Sequence, residues 1–280
     1  MEHYMTSEKI DHYLKALENE ERAAATIEKY RRALLNFAAF LSGAAVSPET
    51  IRLWKNELHE KNYAPSTINT FLAALNGFFH FCGWSDCRAR FLKIQRRLFR
   101  DSRQELTRAE YERLVAVAEA AGDRSLALLM ETICSTGIRV SEVQYITVEA
   151  AKKGKAEIAL KGKIRTILLP SKLCRKLLKF AARQKNASGA IFRAKSGNAM
   201  SRYQIWSKMK KLCERAGVGA EKVFPHNLRH LFATAFYRAY KDIVKLADVL
   251  GHSSIETTRI YLVTSAAEHR RQLEQLQLVL

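Results

Sequence analysis

Apolar side chains recur at three- and four-residue intervals through most of the first ninety positions. Between Thr26 and Leu41 they fall at Ile27, Tyr30, Leu34, Phe37 and Leu41. That spacing gathers them on one face of an α-helix, with Thr26 placed to cap it. Pro65-Ser66-Thr67 opens another run, with Ile68, Phe71, Leu72, Leu75, Phe78 and Phe79 on one side. Ser47-Pro48-Glu49 starts a shorter run through Ile51, Trp54 and Leu58, and residues 7–18 suggest a first one. Four helices on short loops predict a small bundle. The aromatic stripe Phe71, Phe78, Phe79 and Phe81 is expected in its core.

The pattern changes near residue 88. Residues 88–103 have few apolar anchors in their second half and read as a linker, centred on about 90–105. This separates a helical domain, 1–100, from a second domain, 106–280. Thr107, with Glu110 three positions later, makes a capping box that starts a new helix. From Gly154 to Leu169 the period drops to two: Ala156, Ile158 and Leu160, then Gly162-Lys163, then Ile164, Thr166 and Leu168. That is a β-hairpin with a tight turn around 161–164. Helices are expected again at about 171–184, 201–216, 226–239 and 242–250. A tail helix would carry Leu273, Leu276 and Val279 or Leu280 on one face. The fold class is therefore mainly α with a small β-hairpin element.

Charge narrows the choice of partner. Of 280 residues, 47 are Lys or Arg and 28 are Asp or Glu, a net +19. Residues 1–100 hold 15 basic and 11 acidic side chains, whereas residues 101–280 hold 32 and 17. From Lys152 to Arg215 there are 19 basic residues and only Glu157 and Glu214 as acids. A solvated face of mixed charge does not explain a stretch so depleted of acid. Contact with a polyanion does, and nucleic acid is the commonest one. Neutralising about eight phosphates would make log K fall with log salt at a slope of about −7. Arg96, Arg97, Arg100, Lys163 and Arg165 are the candidate phosphate contacts. No apolar run is long enough to span a bilayer, and the polar start is not a signal peptide. Five cysteines without a C-x-x-C pair read as reduced thiols of a cytosolic protein.

Four short segments concentrate unusual polar residues: Thr136 to Glu142, the hairpin lysines Lys161 and Lys163, His226 to His230, and Gly251 to Tyr261. Singly, each has a dull explanation, such as a surface charge, a helix cap or half-buried packing. Together they meet the needs of attack on a phosphodiester. Two guanidiniums can clamp the nonbridging oxygens bidentately. A nucleophile, its proton acceptor and a proton donor for the leaving oxygen complete the set, and Tyr, His and Lys supply these without a metal. His226 and His230 also form an i, i+4 pair, as in a zinc helix, but Asn227 stands where that motif needs glutamate.

The four segments resemble the boxes of the tyrosine site-specific recombinases, the phage integrase family, and in spacing its Xer-type members. The boxes are Arg139 in Thr136-Gly137-Ile138-Arg139-Val140-Ser141-Glu142, a hairpin lysine, His226-x-x-Arg229, and Leu250-Gly251-His252 with Thr257 and Tyr261. The resemblance implies a SAM-like, four-helix core-binding domain followed by a catalytic domain. By it, Tyr261 is the nucleophile and forms a 3′-phosphotyrosine. Arg139 and Arg229 hold the nonbridging oxygens, Lys161 protonates the leaving 5′-oxygen, His226 handles the tyrosine proton and His252 bonds the phosphate. Glu142 is expected to orient its neighbours. The hairpin is one residue shorter than the family pattern, so Lys163 competes with Lys161. No cofactor is implied. The partners implied are double-stranded DNA bearing core sites and further copies of the chain, two per site and four in a synapse, with accessory proteins beside them. The resemblance further implies a cytoplasmic, nucleoid-associated enzyme that uses neither metal nor ATP. A type IB topoisomerase activity and a non-catalytic DNA-binding regulator are the competing readings.

Overall fold

A computed structural model describes residues 2–94, 104–160, 163–194, 196–261 and 266–276. Backbone contacts divide the chain into two compact units, Met1–Arg96 and Arg97–Leu280, each with its own apolar core.

The first unit is the expected bundle: α1 Ser7–Asn19, α2 Ala24–Leu41, α3 Pro48–Glu60 and α4 Pro65–Phe81. Ser47 and Thr50 form a reciprocal capping box on α3, and prolines occupy the first turns of α3 and α4, where no amide partner is needed. Helix α2 starts ahead of the predicted cap. Ala23 is its N-cap residue and Thr26 lies inside the first turn, its N–H on the Ala23 carbonyl. Phe37, Trp54, Leu72, Leu75, Phe78 and Phe79 fill the interior, and the Trp54 Nε1–H donates to Asn36 Oδ1 at 3.0 Å. Phe81 departs from expectation: at 47% exposure it falls off the buried stripe of α4 and leans on Tyr13. At 100° per residue it sits well away from the face that holds Ile68, Leu72, Leu75 and Phe79.

Within residues 88–94, expected to begin a linker, Ala89 and Leu92 pack against this bundle while Phe91 and Ile94 stay exposed. The Asn76 side chain takes the Ala89 N–H at 2.8 Å and donates to the Ala89 carbonyl at 3.0 Å. Asn69 holds Leu92 in the same way, at 2.8 and 2.9 Å. Both asparagines thereby satisfy backbone groups of a segment that has no regular structure of its own. Arg96, Arg97 and Arg100 lie outside the described residues.

The second unit begins with α5, Arg108–Ala120, which Thr107 and Glu110 cap as predicted. Helix α6, Arg124–Thr136, is buried through Leu126, Ala127, Leu129, Met130 and Ile133. A six-residue 3-10 turn, Val140–Tyr145, and α7, Val148–Lys153, lead into strands β1 Lys155–Leu160 and β2 Lys163–Leu168. The strands pair antiparallel, with Ile158 opposite Arg165; the turn residues Lys161 and Gly162 lie outside the described residues. Then come α8 Ser171–Arg183, α9 Arg202–Lys210 and α10 Cys213–Ala216. The single helix expected over 201–216 is thus two, parted where the Leu212 N–H turns back to the Met209 carbonyl. Helices α11 Pro225–Tyr240, α12 Ile243–Leu250, α13 Ile255–Arg259 and α14 Ala266–Gln275 complete the unit. On α14 Leu273 is exposed, as is Leu276 just beyond it. No described helix is long and apolar enough to cross a membrane.

Candidate active site

Two helix ends and one helix start converge to build the site. Gly137 closes α6 in the left-handed conformation, at φ +65°, and a Cβ there would lie 2.4 Å from Phe232 Cδ1 on α11. Only glycine serves both the turn and the close approach. The chain then passes through the buried Ile138 and delivers Arg139 at the head of the 3-10 turn. Helix α11 starts at Pro225 and carries His226, Arg229 and His230 on neighbouring rows, three and four residues apart. Gly251 closes α12, again left-handed at φ +62°, and a Cβ there would meet Arg165 Cδ at 2.3 Å.

The end of α12 organises three guanidinium groups. Arg165 donates to the Val249 carbonyl at 2.9 Å, Arg229 to Leu250 at 2.9 Å, and Arg139 to Gly251 at 3.5 Å. These are carbonyls that a helix leaves without internal partners, at the negative end of its dipole. Arg229 also donates to the Gly137 carbonyl at the end of α6. Glu142 ties the remaining two together. Its carboxylate accepts from the Arg139 N–H at 2.7 Å, from Arg139 Nη1 at 3.0 Å and from Arg165 Nη1 at 2.7 and 2.8 Å. Burial alone would push the Glu142 carboxyl up. The Arg139 backbone bond, with the charges of Arg165 and Arg139, outweighs that and holds it below the usual carboxylate range. Burial pulls the pKa values of Arg229 and Arg165 down, although a guanidinium keeps its proton. Three cations against one buried anion leave an excess of positive charge, which suits an anionic group of the substrate.

His252 and Tyr261 close the other side. His252 Nε2 lies 2.8 Å from Arg229 Nη2, and its Nδ1 lies 2.8 Å from Thr258 Oγ1. Burial, then the charges of Arg229, Arg139 and Arg165, lower the His252 pKa to about 4. The Tyr261 ring stacks on His252, with centroids 6.0 Å apart and planes 11° apart, and packs on His230 at 5.0 Å and His226 at 6.4 Å. It is 4% exposed, beside Ala233, Leu246 and Leu250.

Arg139, His226 and Arg229 line one open cleft of about 680 Å³, which also takes in Arg202, Tyr203 and Trp206 of α9. His252 and Tyr261 adjoin it through Arg229 and His226. The structure therefore brings together five of the six residues that the sequence nominated for chemistry. The sixth, Lys161, lies outside the described residues, and of Lys163 only the backbone is described, as the first residue of β2. Arg165, nominated as a phosphate contact, is largely buried and bonded to Glu142. His226 and His230 do not form a joint site: His226 lines the cleft, while His230 is buried with its Nδ1 3.3 Å from Thr234 Oγ1. The threonine that meets His252 is the buried Thr258, not the exposed Thr257 singled out in the sequence. With two threonines in succession, only the direction in which α13 turns decides which one faces inward.

Residues 104–268 match the phage integrase family, and residues 10–85 match the phage integrase N-terminal SAM-like domain. The chain belongs to the phage integrase family. It is 29% identical over 286 residues to the tyrosine recombinase XerA of Pyrococcus furiosus, covering 98% of this chain and 96% of that one. It is 31% identical over 284 residues to the tyrosine recombinase XerD of Brucella suis, covering 90% and 91%. Its fold is similar to that of lambda integrase in a dimer bound to a COC′ core site, with a TM-score of 0.75 at 18% identity over 92% of this chain and 77% of that one.

Proposed function

We propose that this protein is a site-specific tyrosine recombinase, which cuts and rejoins DNA strands through a covalent phosphotyrosine. The observation that carries the reading is the convergence of Arg139 and Arg229 on one cleft, with Tyr261 packed against His252 and His226 at its edge. The relatives named tyrosine recombinase, and the lambda integrase fold bound to a core site, support the same reading.

The residues take distinct roles. Arg139 and Arg229 bind the nonbridging oxygens of the scissile phosphate and neutralise the charge that builds there. The Tyr261 hydroxyl attacks phosphorus and passes its proton to His226. The bond from phosphorus to the 5′-oxygen breaks, and Lys161 on the hairpin protonates that oxygen as it leaves. Tyr261 is left bonded to the 3′-phosphate. A 5′-hydroxyl of another strand then attacks the phosphotyrosine and releases Tyr261, so strands are exchanged through a Holliday junction. One phosphoester replaces another at each step, so neither ATP nor a metal is required. Because Tyr261 is buried in the free chain, productive binding to DNA has to uncover it.

The basic residues Arg96, Arg97 and Arg100 ahead of α5, and Lys163 in the hairpin, contact the phosphate backbone. Two protomers occupy each core site and four form the synapse. The chain works at the nucleoid, with integration, excision, inversion and resolution all within reach of the same chemistry.

Incubating the full-length chain with nicked suicide duplexes tests the assignment. A covalent adduct is expected with the wild-type chain, undiminished by chelator, and none with Tyr261→Phe, which still binds DNA. An adduct that survives this substitution overturns the choice of nucleophile. Relaxation of any supercoiled plasmid without sequence preference would instead make the enzyme a topoisomerase.

A further inference from the structure

Helix α9 places two large aromatic rings in water beside the cleft. Tyr203 is 72% exposed and Trp206 is 41% exposed, their centroids 5.9 Å apart. They do not belong to the core, which α9 meets through Ile205 and Met209. Both rings line the cleft that holds Arg139, His226 and Arg229, and the Lys210 ammonium stands 5.6 Å from the Trp206 ring centre. An exposed aromatic pair flanked by cations makes a surface for a ligand that is apolar in part and anionic beside it. Duplex DNA offers one such combination at the edge of a base pair: the thymine C5-methyl, which projects into the major groove and meets apolar side chains there.

We propose that Tyr203 and Trp206 form an apolar contact for a thymine methyl next to the scissile phosphate, and so set a base preference at that position. This rests on the recombinase reading, because the arginine-lined cleft is what holds the phosphate close by. The contact needs no base to leave the stack, since the methyl already stands clear of the pair. Neither ring is assigned a part in the chemistry. The pair therefore acts on which sequence is cut, not on whether a strand can be cut.

Selection of binding sites from random duplexes tests this, using the full-length wild-type chain and the Tyr203→Ala/Trp206→Ala double variant. Wild-type sites are expected to carry thymine at a fixed place beside each cut. Replacing that thymine by deoxyuridine, which removes only the methyl, should weaken binding about fourfold, the scale of burying one methyl group. The double variant should select no base there, keep its other preferences and be indifferent to the uridine swap. Equal binding of thymine and uridine sites by the wild-type chain overturns the proposal. So does a double variant that keeps the thymine preference. If the variant loses binding uniformly across sequences, the rings stack without reading a base, and the proposal also falls. Adduct formation by wild-type chain on the selected sites is scored separately. A thymine preference without any adduct would refute the recombinase reading and leave the base contact standing.

Discussion

The 2.8 Å hydrogen bond between Arg229 and His252 fixes the protonation of the histidine. A guanidinium has only donors, so His252 Nε2 has to accept, and the ring proton sits on Nδ1 facing Thr258 Oγ1 at 2.8 Å. His252 is therefore neutral in the free chain. To bond a phosphate oxygen as a donor it would have to release Arg229 and present Nε2–H instead. Arg229 would at the same moment be freed to turn toward that phosphate.

This neutrality carries a pH signature. The folded chain holds the His252 pKa near about 4, below its ordinary 6.5, so between these values the unfolded chain binds the extra proton and the folded chain does not. Stability from this group is complete above pH 6.5 and is lost as pH falls toward 4. His252→Gln removes the titrating ring. Urea midpoints measured at pH 7 and pH 5 should fall further in the wild-type chain than in the variant. An equal fall in both would show that His252 is not held neutral.

Among the described residues Glu142 is the one carboxylate bonded to Arg139 and Arg165, and it is 2% exposed. Glu142→Gln leaves Arg165 buried beside a neutral amide, and its Nε already has no hydrogen-bond partner. Removing one member of a buried pair costs about 3–5 kcal/mol, whereas replacing both with apolar groups of similar size is often close to neutral. The single variant should therefore unfold at much lower urea, and Glu142→Met/Arg165→Met should recover most of the loss. Adduct formation should stay low in both, since Arg139 loses its charged partner in each. A double variant no more stable than the single one would contradict the buried-pair account.

Much of this site could be read from the chain. The first bundle was legible because its helices are amphipathic and because proline and Ser47 mark two of the starts. Arg139, His226, Arg229, His252 and Tyr261 were legible as segments because they fall in short runs of unusual polar residues. What joins them was not. The carbonyls of Val249, Leu250 and Gly251 are backbone atoms, and no residue type advertises that the end of α12 will hold three arginines. Arg165 looked like one more surface cation in a basic stretch, yet its place on β2 opposite the buried Ile158 turns it to Glu142. Helix α6 is not among the elements expected from the sequence, although its start at Asp123 and its stop at Gly137 are both written in the chain.

Gly251 tests how tightly the end of α12 is specified. Its φ of +62° and the 2.3 Å separation between an added Cβ and Arg165 Cδ both oppose a side chain. A left-handed non-glycine residue costs about 1–2 kcal/mol before any clash. Gly251→Ala should lower stability by at least that much. It should also slow adduct formation, because Arg165 must shift and Glu142 follows it. Gly154→Ala is the control, since it has a similar φ of +70° but nothing within 4 Å of the added atom. It should show the backbone cost without the loss of rate. Equal rates for the two variants would mean that the contact between Gly251 and Arg165 is irrelevant to the chemistry.

Arg139 and Arg229 differ in how far structure and chemistry can be separated. Arg229 is 2% exposed and spreads its fork over the Gly137 and Leu250 carbonyls and His252 Nε2. The single ammonium of Arg229→Lys cannot meet all three, and each buried acceptor left unpaired costs about 1–3 kcal/mol. Arg139 has a side chain 43% exposed, and its backbone N–H, which any residue supplies, already bonds Glu142 at 2.7 Å. Arg139→Lys should therefore change stability by less than about 1 kcal/mol. Both variants should slow single-turnover adduct formation by about 10²–10³, the scale of losing one preorganised donor to a developing charge. Measured well below each unfolding midpoint, a large rate loss in Arg139→Lys with an unchanged urea midpoint would place the effect in the reaction itself. An unchanged rate in that variant would remove Arg139 from the phosphate clamp.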